Sequence, residues 1–256
     1  MGIEAKIEQA AHILIQAYHV TALTGAGIST PSGIPDFRSL GSGLWEFVDP
    51  FKVATIFAFR QDPQAFYDWV RPLVHTILNA RPNPAHYALA TLGDLGVLKA
   101  IVTQNIDGLH MRASSQVVYE VHGNLRQATC IRCYASAPAE PLIQAFMESG
   151  VIPRCDKCNG VMKPDVILFG EQLPAQALIA AQQVARKSDA MIVVGSSLEV
   201  APAGDLPLLT KASGGRLIFV NLGPTHLDGM ADVVIRANVA EALPLLVQAV
   251  RRIHEM

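Results

Sequence analysis

Apolar positions along the chain follow two spacings. Ile3, Ile7, Ala10, Ala11 and Leu14 recur every three or four residues, which predicts an amphipathic helix at the start. Residues 20–23, apolar except for Thr21, then read as a short buried strand that runs through Thr24 into Gly25-Ala26-Gly27. Similar runs occupy 100–103, 191–194, 217–220 and 233–235 and read as buried strands. Helical periodicity separates several of them, over 84–95, 174–186, 202–210 and 239–253. Buried strands alternating with helices predict an α/β fold of the Rossmann-like, doubly wound parallel type. Two stretches break the alternation. Residues 30–83 begin irregularly, rich in Pro, Gly and aromatics, and then turn helical, while 126–164 carries all four cysteines. The expected organisation is therefore a main domain of 1–30, 84–125 and 165–256, interrupted by a loop and helical insertion at 31–83 and a zinc-ribbon insertion at 126–164.

Composition narrows the function classes. Half of the 256 residues are hydrophobic and 16% are charged, ample for a large core. The net charge is −2, so there is no basic surplus to neutralise a phosphate backbone, and direct nucleic-acid binding is not expected. No run approaches the roughly 20 apolar residues of a membrane helix. The first residues, with Glu4 early and no apolar run after a basic one, do not read as a signal peptide, and Lys6 stands where a myristoylation signal wants Ser or Thr. A cytoplasmic, membrane-free protein is expected.

Candidate chemistry lies just after the strands, where ligands of such folds bind. Gly25 and Gly27 would let backbone N–H groups approach a pyrophosphate, although an ordinary strand-to-helix turn explains a lone Gly-x-Gly equally well. The dehydrogenase fingerprint fails, since Thr30 holds the third glycine position and no acidic residue tops a second strand. The run Thr-Gln-Asn-Ile-Asp-Gly-Leu-His at 103–110 gathers amide, carboxylate and imidazole groups that suit ribose hydroxyls and a carboxamide, or else form an Asx-type turn. Gly195-Ser196-Ser197-Leu198 and Asn221-Leu222-Gly223 follow later strands with the same small, polar character. His122, one of eight histidines, can take a proton near neutral pH. Cys130-x-x-Cys133 and Cys155-x-x-Cys158, with 21 residues between the pairs, have zinc-ribbon spacing; four thiolates fill a tetrahedral site and leave no position for water, so the zinc is expected to be structural.

Taken together these segments resemble the sirtuins, most closely the compact bacterial and archaeal members. The resemblance rests on Gly-Ala-Gly-Ile-Ser at 25–29, Gly-Ile-Pro-Asp-Phe-Arg at 33–38, the 103–110 run, Glu-Val-His-Gly-Asn at 120–124, both cysteine pairs, Lys-Pro-Asp-Val-Ile-Leu-Phe-Gly-Glu at 163–171, Gly-Ser-Ser-Leu at 195–198 and Val-Asn-Leu at 220–222, all in the family's order. It implies an NAD-dependent protein-lysine deacylase that moves the acyl group to ADP-ribose and releases nicotinamide. Carried onto this chain, Gly25, Ala26, Gly27, Asp36, Phe37 and Arg38 would follow the phosphates and ribose of NAD. Gln104, Asn105 and Asp107 would hold the nicotinamide end, with Asn105 and Asp107 in the catalytic set. Gly195, Ser196, Ser197, Asn221 and Leu222 would surround the adenosine half, with Asn238 and Val239 flanking the adenine. His122 would be the general base. Phe37, His122, Val166, Ile167 and Phe169 would line an acyl-lysine tunnel, with the peptide added as a strand between the segment near Gly170 and Leu198-Glu199-Val200. The implied partners are acyl-lysine side chains of proteins, met by a monomer. Rival readings are an ADP-ribosyltransferase on the same NAD pocket and a non-catalytic NAD-sensing module. One position departs from relatives that remove acidic acyl groups: they carry arginine three residues after a tyrosine, whereas Tyr67 is followed at that spacing by Val70, with Arg71 one position late.

Overall fold

The computed structural model describes residues 2–37, 43–46 and 48–254. Six strands form a parallel sheet: β1 (Val20–Thr24), β2 (Leu98–Thr103), β3 (Val118–Glu120), β7 (Ala190–Val194), β8 (Arg216–Val220) and β9 (Val233–Ile235). Their order is β3-β2-β1-β7-β8-β9. Counted within this sheet alone that is 3-2-1-4-5-6, the doubly wound dinucleotide-binding order, and its direction reverses between β1 and β7. The central strands are largely apolar along their length because both faces are covered. In β7, Ala190, Ile192 and Val194 face a layer containing α1 (Ile3–Gln16), α5 (Pro84–Asp94) and α10 (Val239–His254). Met191 and Val193 face the opposite layer of α8 (Ala175–Lys187) and α9 (Leu206–Ala212). No helix among the described residues is long and apolar enough to cross a membrane.

A smaller antiparallel sheet, β5-β4-β6, joins β4 (Gly123–Cys130), β5 (Ser136–Pro138) and β6 (Met162–Val166). One helix of the cysteine region, α7 (Ala139–Ser149), has no counterpart in the sequence-based elements above. The helical insertion supplies α2 (Pro50–Val53), α3 (Ile56–Gln61) and α4 (Pro63–Asn79). Side-chain caps start all three: Asp49 accepts from Phe51 N, Thr55 from Ala58 N and Asp62 from Ala65 N, each satisfying an amide that the helix itself leaves open. The insertion and the cysteine module share one apolar cluster, in which Phe66, Tyr67, Val70 and Val74 of α4 meet Phe146 of α7 and Val166 of β6. The short helix α6 (Leu109–Arg112) follows the 103–108 loop.

At the switch point two loops meet backbone to backbone. Gly25 N donates to Val194 O (3.1 Å) and Gly27 N to Gly195 O (2.8 Å). A Cβ on Gly195 would lie 2.3 Å from Ile28 N and 2.5 Å from Gly27 C, and the residue has φ +59°, a conformation that favours glycine. Gly195→Ala is therefore expected to lower unfolding free energy by at least about 2 kcal/mol, from left-handed strain plus displacement of the facing loop. Urea unfolding measures it; an unchanged midpoint contradicts this packing.

Candidate active site

The loops after β1, β2 and β7 are cross-linked by polar side chains. Gln104 N donates to Thr24 O (2.9 Å), and its Nε2 donates to Ser196 Oγ (2.8 Å), spanning β2 to β7. Asn105 Nδ2 donates to Gly25 O and to Ser29 Oγ, both at 3.1 Å. Ser29 Oγ in turn donates to Asp107 Oδ2 (2.7 Å), whose other oxygen accepts from Leu109 N (2.8 Å). Burial raises the Asp107 pKa, and the hydrogen bonds from Ser29 and Leu109 partly offset that rise. Ser196 and Asn221 exchange two bonds, Ser196 N to Asn221 Oδ1 (3.0 Å) and Asn221 Nδ2 to Ser196 O (2.9 Å), fixing the β7 loop on the β8 loop.

His122 sits in the turn between β3 and β4. Its Nδ1 lies 3.0 Å from Gln104 O. A carbonyl can only accept, so Nδ1 carries the proton and Nε2 keeps the lone pair. Nε2 is buried and has no partner among the described residues. Burial lowers the pKa below the ordinary 6.5, and the bond to Gln104 partly restores it, so the ring is neutral at pH 7. The His122 carbonyl accepts from Ile167 N (2.9 Å), which ties the imidazole to the 166–169 segment. Gly123 makes this crossing possible: a Cβ there would stand 1.9 Å from Asp165 O.

Ala26, Ser197, Leu198 and Leu222 follow β1, β7 and β8 of the main sheet, and Val166 ends β6 of the smaller one. Ala26 opens the 3-10 turn Ala26–Ile28 beside Gly25 and Gly27. Asp36 and Phe37 are half-buried, while Arg38 lies outside the described residues. Ser197 and Leu222 are exposed. Asn238 Oδ1 accepts from Ala240 N (2.9 Å) at the start of α10, and the Val239 side chain packs into the main core. Val166 is buried and Ile167 half-buried. Phe169 is held by its backbone, its N donating to Ala54 O (2.9 Å) and its O accepting from Ile56 N (3.0 Å), with its ring stacked on Phe51. Leu198 is buried at φ +63°, and Val200 O accepts from Gly204 N (2.8 Å).

Sequence reasoning passed over several supports of this site. Ser29 joins Asn105 to Asp107, and only its place in the glycine motif singles it out. Thr24 Oγ1 donates to Thr103 Oγ1 (2.8 Å) and also meets His110 Nε2 (2.9 Å) inside the sheet end. Asn83, which caps α5, donates through Nδ2 to Ile28 O and Ser32 Oγ, both at 2.8 Å.

The four cysteines lie apart from these loops. Their sulfurs all fall within 4.8 Å of one another, with Cys130 to Cys158 at 3.5 Å and Cys133 to Cys155 at 3.6 Å. A tetrahedral ion with Zn–S bonds of about 2.3 Å needs S···S edges of about 3.8 Å, so these donors fit zinc closely. All four corners are thiols, which leaves the ion no place for a reacting water.

The sheet order, the glycine loops at its switch point and the closed four-cysteine module define a dinucleotide-binding α/β protein with a structural zinc. The family model described as "Sir2 family" matches residues 25–202. An NAD-dependent protein deacetylase of Sulfurisphaera tokodaii is 44% identical over 93% of this chain and 94% of its own. NAD-dependent protein deacylase 2 of Archaeoglobus fulgidus is 44% identical over 98% of each. A solved Sir2 structure with a deacetylated p53 peptide and 3′-O-acetyl ADP ribose superposes with a TM-score of 0.90 at 40% identity, over 94% of this chain and 97% of that one. The chain belongs to the Sir2 family.

Elemental analysis should find one zinc per chain. Cys155→Ser should lose most of it and unfold at lower temperature, because the metal's binding energy is also folding energy. A zinc-free chain with undiminished stability contradicts the assignment.

Proposed function

We propose that this chain is an NAD-dependent protein-lysine deacylase that transfers neutral acyl groups from lysine to ADP-ribose. The observation that carries the proposal is His122: a neutral, buried imidazole whose Nε2 has no partner among the described residues, tied through Nδ1 to the polar loop after β2 and through its carbonyl to the apolar 166–169 segment. The names of the Sulfurisphaera and Archaeoglobus relatives, and the acetyl ADP ribose in the solved structure, support the same reaction.

Each part of the chain then has a task. Bound NAD supplies the ADP-ribose acceptor and the nicotinamide leaving group. Gly25, Ala26 and Gly27 bring their backbone to its phosphates, with Asp36, Phe37 and Arg38 alongside. Asn105 and Asp107, braced by Ser29, orient the nicotinamide ribose and carboxamide. Gly195, Ser196, Ser197, Asn221 and Leu222 take the adenosine end, and Asn238 and Val239 flank the base. His122 Nε2 accepts a proton from the ribose hydroxyls as the acyl group arrives. Phe37, His122, Val166, Ile167 and Phe169 wall the acyl-lysine, and the peptide backbone adds as a strand beside Gly170 and Leu198–Val200. Residues 1–30, 84–125 and 165–256 work as the NAD-binding body, and 31–83 with 126–164 as the smaller body beside it.

The preference for neutral acyl groups follows from charge. Val166 also lines an apolar cavity with Tyr67, Val70, Ile106, Leu125 and Phe146. The Tyr67 hydroxyl donates to Met162 O (2.6 Å). Arg71 turns towards α7 instead: its Nη2 donates to Met147 O (2.6 Å) and its guanidinium lies 5.6 Å from the centre of the Phe146 ring. One residue's offset on a helix rotates a side chain by about 100°, which accounts for this direction. An acyl carboxylate entering the cavity would meet Val70 where a cation is needed, at a cost of several kcal/mol.

His122→Ala is expected to keep its zinc and its affinity for NAD while losing about 10²–10⁴-fold in deacylation rate. In the wild type, the acidic limb of kcat/KM should have its midpoint below 6.5, since activity fails only where the buried imidazole takes a proton. Normal turnover by a clean preparation of the variant rules out this base.

On one peptide, acetyl- and propionyl-lysine should exceed succinyl-lysine in kcat/KM by about 100-fold or more. Equal efficiency on succinyl-lysine means that a cation reaches the cavity and that the reading of Tyr67, Val70 and Arg71 is wrong.

A further inference from the structure

Lys163 is a lysine in the wrong place for a lysine. It lies in β6 between Met162 and Pro164, both buried, and is itself only 8% exposed. Its Nζ donates to Pro164 O (3.0 Å) and Val166 O (2.8 Å) and pairs with Glu171 Oε2 (3.0 Å). An ammonium has three protons, and here there are three acceptors for them. The same Glu171 oxygen accepts from Leu168 N (2.8 Å), and Glu171 N donates to Leu168 O (3.0 Å). One cation therefore gathers the carbonyls of 164 and 166 directly and the amide of 168 through its counter-ion. The backbone from 164 to 171 is wound around a charge.

Backbone also holds the loop from outside: Val166 and Pro164 pair with β4, Ile167 N donates to the His122 carbonyl, and Phe169 sits between Ala54 O and Ile56 N. The Lys163–Glu171 pair is the internal tie made by side chains. Stability alone is a poor reason for it, since a buried ion pair can often be replaced by apolar residues of similar volume without loss. What the charge adds is shape: it fixes where the carbonyls of 164 and 166 point, and so how Val166 and its neighbours are presented.

We infer that Lys163 is a positioning residue for the acyl-lysine site, its buried ammonium and Glu171 clamping the 164–171 loop so that Val166, Ile167 and Phe169 form the wall that receives the acylated side chain. The inference rests on the proposed function in taking those three residues as the wall.

The test compares wild type with Lys163→Met, Lys163→Arg and the double variant Lys163→Met/Glu171→Met. The readouts are the Kd of a fluorescent acetyl-lysine peptide by anisotropy, KM and kcat for that peptide, KM for NAD, zinc content and Tm. Lys163→Met should weaken the peptide, in Kd and KM, by about tenfold or more and leave KM for NAD within about twofold, because among the described residues the Lys163 ammonium and the Glu171 carboxylate bond only within residues 163–171. The double variant should regain Tm lost by the single one, since no orphaned carboxylate remains, yet stay weak for peptide. Lys163→Arg, which keeps the cation, should recover part of the peptide affinity. If the single variant fails to fold, the double variant carries the comparison. Wild-type peptide affinity in a folded Met variant overturns the inference, and so does a double variant that regains peptide affinity along with Tm. Wild-type protein that binds the peptide but never deacylates it counts against the proposed function and leaves the Lys163 comparison readable. A wild type that binds no acyl peptide overturns both.

Discussion

Two loops that leave the sheet at its switch point touch through their backbones, and much of the site is built on that approach. Gly25, Gly27 and Gly195 meet where even a methyl group would collide with main-chain atoms. Once the loops are this close, one short side chain can span from strand to strand. Asn105 reaches Gly25 and Ser29, and Gln104 reaches Ser196. The result is a rim of donors and acceptors cross-linked at the ends of β1, β2 and β7, with its polar groups held in place by one another. Preorganisation of this kind removes the cost of ordering side chains during binding.

His122 is where this rim meets the smaller antiparallel sheet. Its ring is tied to the loop after β2 through Gln104 and its carbonyl to the 166–169 segment through Ile167. The second tie depends on the cysteine module, because β6, which leads into the 166–169 segment, pairs with β4 of that module. A zinc held by the four cysteines would hold the module together, and through the β4–β6 pairing would steady the 166–169 segment beside His122. The helical insertion closes the same unit from the other side through the aromatic cluster of Phe59, Phe66, Tyr67 and Phe146.

The sheet was legible because burial on both faces leaves strands with no polar alternation. The same rule explains the places where the reading fell short. β2 starts at Leu98 rather than 100, since exposed Lys99 interrupts the apolar run. β3 is only three residues long and too short to show a period. In the cysteine region the two pairs dominated the reading, and α7 between them, with only Ala139 and Phe146 buried, gave a weak stripe. The Tyr67, Val70 and Arg71 spacing is plain in the sequence, and the direction of Arg71 follows once α4 is known to be helical, because neighbouring side chains there are about 100° apart. Ser29, Thr24 and Asn83 were not legible. A polar residue inside a fold looks like loop until its distant partner is known, and Ser29 and Asp107 are 78 positions apart. The Lys163 clamp was hidden differently: its motif was visible, but nothing in the sequence says that the ammonium turns inward.

The central claim is that the acyl group leaves lysine for ADP-ribose. Mass spectrometry of all products, after mixing the protein with NAD and an acetyl-lysine peptide, tests it most directly. The account predicts one nicotinamide and one O-acetyl-ADP-ribose for each lysine unmasked, with no change in the mass of the protein. Stable ADP-ribose on the protein or peptide, or lysine unmasked without matching nicotinamide, would contradict it.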